Sequence, residues 1–145
     1  MADALAERAH GNDRTRFGGR FLDHVRRVAA CLHEDPDAYA VVAALLHDTV
    51  EKGTLDWADL RAAGADERLI RVVDALTERH GEPAHSYFGR VVEDPLALRI
   101  KRVDISDKLN VGTDDGLTAD EVDHLHRRAR QRLELLERLA ADRRR

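Results

Sequence analysis

Apolar positions recur every three or four residues along most of the chain, with charged residues between them, and this period predicts helices throughout. A first segment spans about Ala2 to His10, and Gly18 and Gly19 then punctuate the chain. A second helix is predicted from about Phe21 to His33, carrying Phe21, Val25, Val28, Ala29 and Leu32 on one face. His24 lies four residues before Val28 and so beside that apolar stripe. Asp35 before Pro36 predicts the next helix start, and the run Ala38 to Leu46 is apolar on every side, as expected at the centre of a bundle. It gives way abruptly to His47, Asp48, Thr49, Val50 and Glu51. Burying such groups is costly unless they are paired or bind a metal, so this transition is the first functional signal.

Gly53 to Asp56 reads as a loop ending in an N-cap, with a short helix to Ala63 and Gly64 as its stop. Helices are then predicted from about Asp66 to Arg79, bearing Leu69, Ile70, Val73, Leu76 and Thr77, and from Ala84 to Val92 after the turn His80–Pro83. Another runs from Pro95 to about Leu109 with Leu96, Ile100, Val103 and Asp104. After a glycine-containing loop, Val111 to Gly116, a last helix over about 117–142 places Val122, Leu125, Ala129, Leu133, Leu136 and Ala140 at alternating spacings of three and four. That stripe is read as core, with a homodimer contact as its alternative.

The composition agrees with an all-α, single-domain bundle over residues 1–145: 43% of residues are apolar and 36% charged, but only 4% are aromatic. The single cysteine, Cys31, can form no internal disulfide and is expected as a small buried apolar group. The first residues carry charges throughout, and the longest apolar run is far too short to cross a bilayer, so a cytoplasmic protein without a membrane partner is expected. A net charge of −4 argues against a general nucleic-acid binder, which needs surplus positive charge to displace counterions, so no nucleic-acid partner is expected.

Imidazole nitrogen with carboxylate oxygen suits Mn²⁺, Fe²⁺, Zn²⁺ and similar ions. His47 and Asp48 offer two ligands and need partners from other helices. His24 is one candidate, although by itself it also fits a packed, hydrogen-bonded histidine. Asp104 and Asp107 are the others, on a largely apolar segment where a capping or paired acid is the alternative.

Several blocks together resemble the HD-domain superfamily of metal-dependent phosphohydrolases, and within it the hydrolase domain of the RelA/SpoT-class alarmone enzymes and their small stand-alone relatives. Ala9-His10, Arg16, Gly18, Phe21, Leu22 and His24 resemble the first histidine block, and Ala44 to Glu51 the central HD motif. Ala75-Leu76-Thr77, Gly81-Glu82, Tyr87, Arg90-Val91 and Asp94-Pro95 then lead into Ile100-Lys101-Arg102-Val103-Asp104. The resemblance covers about residues 9–110.

It implies a divalent metal, Mn²⁺ first and Fe²⁺, Zn²⁺ or Mg²⁺ as alternatives, held by His24, His47, Asp48 and Asp104, and it selects Asp104 over Asp107. It implies catalytic roles for Asp48 and for Glu51, the latter near the attacking water, and substrate contacts from Arg16 toward the nucleobase. The implied reaction is hydrolysis of a phosphate or pyrophosphate ester of a nucleotide, with a (p)ppGpp-type 3′-pyrophosphate as first candidate and a nucleotide 5′-monophosphate as the alternative. Two departures stand out. Lys52 follows Glu51 where alarmone hydrolases usually have an acid, and Lys108 stands where they usually have an asparagine four residues after the last metal-binding aspartate. Both lysines are placed to contact a highly charged phosphate, and both keep open a third reading, a degenerate nucleotide-binding module. His10 is read as shaping the site or as a surface or capping residue, His33 as a cap, His80 and His85 as turn residues, and His124 and His126 as a solvated face of the last helix.

Overall fold

Four helices begin where a side chain takes over a backbone donor left over at the helix start. In the computed structural model, which describes residues 2–10, 21–50 and 55–145, the helices are α1 (Ala2–His10), α2 (Phe21–Cys31), α3 (Ala40–Leu46), α4 (Trp57–Ala62), α5 (Glu67–Leu76), α6 (Ala84–Val91), α7 (Pro95–Leu109) and α8 (Ala119–Arg143), with a single 3₁₀ turn at Thr113–Asp115. The described residues contain no strand, so the fold is all-α. Asp56, Asp66, Asp94 and Thr118 cap α4, α5, α7 and α8, and Asp56 with Asp59 and Thr118 with Glu121 complete reciprocal capping boxes. Pro95 sits in the first turn of α7, where its missing N–H costs nothing.

Three boundaries fall inside the expected ones, each for an identifiable reason. The helix expected from Asp35–Pro36 starts only at Ala40, because Asp35 and Asp37 accept the backbone N–H groups of Asp37 and Tyr39, both at 2.9 Å, and hold the chain in consecutive turns. Arg99 and Arg68 grip those same carboxylates. α2 ends at Cys31, and Leu32 and His33 tighten into turns on the carbonyls of Ala29 and Ala30. α5 stops at Leu76 rather than Arg79, since the half-buried Arg90 takes the carbonyls of Asp74 and Thr77 and pairs with Glu82, whose carboxylate also accepts the Arg79 N–H.

α7, not α3, is the most surrounded element: α2, α3, α5, α6 and α8 all pack on it. It buries Leu96, Ala97, Ile100 and Ile105 and, among them, Lys101 and Asp104. α3 buries Ala40, Ala43, Ala44 and Leu46 but leaves Val41, Val42 and Leu45 half-covered. The stripe on α8 is core, with Leu125, Ala129, Leu136 and Ala140 buried. Each fully buried leucine in this core contributes about 1.5–3 kcal/mol relative to an exposed one. Trp57 packs half-buried against the same core. Cys31, expected inside, is exposed, because it falls on the outer side of the last turn of α2. His126 is half-buried and donates to the Val111 carbonyl at 2.7 Å, so it fastens the loop before α8 instead of lying solvated on it.

A buried histidine–aspartate centre

Three elements carry polar side chains into the apolar interior at one place. α2 presents His24 between the buried Leu22, Val25 and Val28. α7 presents Lys101, Asp104 and Asp107, which share one face because they are three residues apart. The end of α3 supplies His47 and Asp48. The chain leaves the helix at His47, and Asp48 adopts φ +68°, the left-handed region that aspartate tolerates better than most residues. Consecutive residues of a continuing helix would point about 100° apart. The sharp turn instead brings Asp48 Oδ2 to 3.6 Å from His47 Nε2. Thr49 secures the turn by donating both its N–H and its hydroxyl to the Leu46 carbonyl, at 3.1 and 2.7 Å.

At the centre, Asp104 Oδ1 lies 2.8 Å from His24 Nε2 and 3.3 Å from His47 Nε2. One ligand atom from each of His24, His47 and Asp104 lies within 4.8 Å of the other two, and all three residues are buried. The other nitrogen of each ring is already committed. His47 Nδ1 donates to the Ala44 carbonyl, and His24 Nδ1 pairs with Asp107 Oδ2 at 2.7 Å. A carbonyl only accepts, so His47 carries a proton on Nδ1, and its Nε2 is turned to the centre. Fixing the outer nitrogen in this way sets the tautomer and orientation of an imidazole that binds a metal.

Electrostatics matches this arrangement. Burial alone pushes the His24 pKa down, but hydrogen bonds to Asp104 and Asp107 outweigh it and hold it at about 9. Burial likewise opposes protonation of His47, and Asp48 and Asp104 raise its pKa nonetheless. Burial also pushes Asp104 up, yet Lys101, His24 and His47 keep it well below the ordinary carboxylate range. Asp107, raised by burial, is brought down to about 2 by His24 and Arg27. Asp104 and Asp107 thus meet two imidazoles, with Asp48 adjoining, in a largely buried site where Lys101, Arg27 and imidazole protons supply positive charge that a bound cation would add to or replace. The nitrogen and oxygen donors of His24, His47 and Asp104 could hold a metal ion.

His24, His47 and Asp104, expected from different parts of the chain, are therefore brought together, with Asp48 adjoining them. Asp107, the other aspartate considered for the metal, lies behind His24. Lys108 is half-buried on α7, four residues beyond Asp104. Glu51, Lys52 and Arg16 lie outside the described residues. Among the residues quoted for the resemblance, Tyr87 and Arg90 serve the chain between α5 and α6: Tyr87 donates to the Leu76 carbonyl at 2.6 Å, and Arg90 clamps Glu82.

Two members of the site escaped sequence reasoning. Lys101, 7% exposed, places Nζ 2.7 Å from Asp104 Oδ2. Arg27 embraces Asp107 with Nε and a terminal nitrogen at 2.9 and 3.0 Å. The legible signal for Lys101 is its place on the same stripe as Ala97, Ile100 and Asp104, where a lysine on an apolar face requires a buried anion. Arg27 gives no such signal, since its long side chain lies in solvent until Asp107 is placed across from it. No family model matches this sequence, and no curated protein matches it.

Proposed function

We propose that the protein is an HD-type metal-dependent phosphohydrolase that cleaves a phosphate or pyrophosphate ester of a nucleotide in the cytoplasm, with a (p)ppGpp-type 3′-pyrophosphate as its first candidate substrate. The observation that supports this reading is the buried meeting of His24, His47 and Asp104, with both imidazoles locked from behind. In this reading His24 and His47 donate Nε2, Asp104 donates Oδ1, and Asp48 completes the set from its left-handed turn. A divalent ion held by these residues, Mn²⁺ first, would supply Lewis acidity toward water and positive charge toward a phosphate. Glu51 takes the water's proton or stabilises it electrostatically, Arg16 contacts the base, and Lys52 and Lys108 meet phosphate oxygens; these assignments follow the resemblance.

The test is the metal content of the purified protein, joined to turnover with added Mn²⁺ against ppGpp and a panel of nucleotide monophosphates. Release of pyrophosphate supports the first substrate class, and release of orthophosphate from a monophosphate supports the alternative. Bound metal and bound nucleotide without turnover would make the chain a binding module. Asp48→Ala is expected to abolish metal binding, and stoichiometric metal in that variant would remove Asp48 from the set.

A further inference from the structure

Lys101 is the one buried cation among the described residues at this centre that no part of the reading above uses. Its side chain is 9% exposed, so it does not reach out to a substrate phosphate. Its ammonium is fixed on two sides, by Asp104 Oδ2 at 2.7 Å and by the face of the Tyr87 ring, whose centroid is 5.2 Å away. Tyr87 is itself fully buried and donates its hydroxyl to the Leu76 carbonyl. The two oxygens of Asp104 are therefore divided: Oδ1 faces the two imidazoles and Oδ2 faces the ammonium.

We propose that Lys101 is a positioning residue of the metal centre: by occupying Asp104 Oδ2 it confines that carboxylate to one donor oxygen and reduces the negative charge offered to the ion. This rests on the reading that the centre holds a divalent metal. A carboxylate otherwise binds such ions through one oxygen or two, and the second oxygen would take a position that an open, reactive site leaves to water or substrate. A lysine three residues earlier on the same helix face is well placed to prevent that, because both side chains are carried by one rigid element.

Co²⁺ serves as the probe, since its visible absorption reports coordination number and its affinity can be measured without turnover. The unaltered protein and Lys101→Met are each titrated with Co²⁺ after removal of metal by chelator. The expected result is a weaker, shifted absorption in Lys101→Met, together with Co²⁺ binding tightened several-fold. An unchanged spectrum and affinity, with only a lowered Tm, would make Lys101 merely structural and overturn the inference while leaving the metal reading intact. Absence of Co²⁺ binding to the unaltered protein would overturn both. If Lys101→Met does not fold, a crystal structure of the metal-loaded unaltered protein decides: Asp104 with one oxygen on the ion and Oδ2 on Lys101 supports the inference, and both oxygens on the ion overturn it.

Discussion

Asp107 Oδ2 lies 2.7 Å from His24 Nδ1, on the side of the ring away from Asp104, and Arg27 holds both oxygens of the same carboxylate. His24 is thus fixed by a chain that starts at the protein surface and ends at the centre. Removing the middle link with Asp107→Ala frees the ring to rotate, so metal affinity should fall by roughly 10–100-fold. Competition against a chelating dye measures this, and an unchanged affinity in a folded variant would show that helix packing alone orients His24.

The turn at Asp48 separates backbone from ligand chemistry. Asp48→Asn keeps a residue that tolerates φ +68° but loses the charge, so Tm should change little while metal binding weakens. Asp48→Val puts a β-branched side chain into the same backbone and should cost about 1–3 kcal/mol of stability. Thermal unfolding of the two chelator-treated variants makes the comparison, and equal losses would contradict the strain argument.

The ion-free protein should become less stable as the medium turns alkaline. His24 has its pKa at about 9, above the ordinary 6.5, so its protonated form is favoured by folding. The stability from that proton is fully present below pH 6.5 and lost as pH rises through 9. For this buried group the loss is on the order of 3 kcal/mol. Urea unfolding of chelator-treated protein between those limits tests it, with His24→Gln as the variant in which this part of the slope disappears.

Arg90 should matter to the fold and not to the ion. Arg90→Ala removes the pairing with Glu82 and the donors to the Asp74 and Thr77 carbonyls. A loss of roughly 1–3 kcal/mol is expected, because polar partners in a half-buried place are left unsatisfied. Metal affinity measured on the folded fraction should stay the same, and a large drop would mean that the chain between α5 and α6 supports the centre directly.

Much of this architecture was set by local sequence. Helical period, aspartate and threonine caps, and Pro95 at a first turn fix α4 to α8 within a few residues, since those signals act over one or two turns of chain. The abrupt passage from Ala38–Leu46 into His47 and Asp48 marked the centre for the same reason: polar groups next to a core stretch need a partner. The resemblance, resting on motif order, singled out His24 and Asp104 as further partners. Tertiary structure decided what depends on how the helices pack and on which faces they bury. Asp107 became the support of His24 because α2 and α7 pack together, Lys101 became a partner of Asp104 because the core closed over their shared face, and Arg90 ended α5 early by taking its carbonyls from the neighbouring helix. The left-handed turn that brings Asp48 back to His47 likewise belongs to the folded chain, where packing and the Thr49 hydrogen bonds hold a backbone conformation that aspartate tolerates but does not by itself prefer.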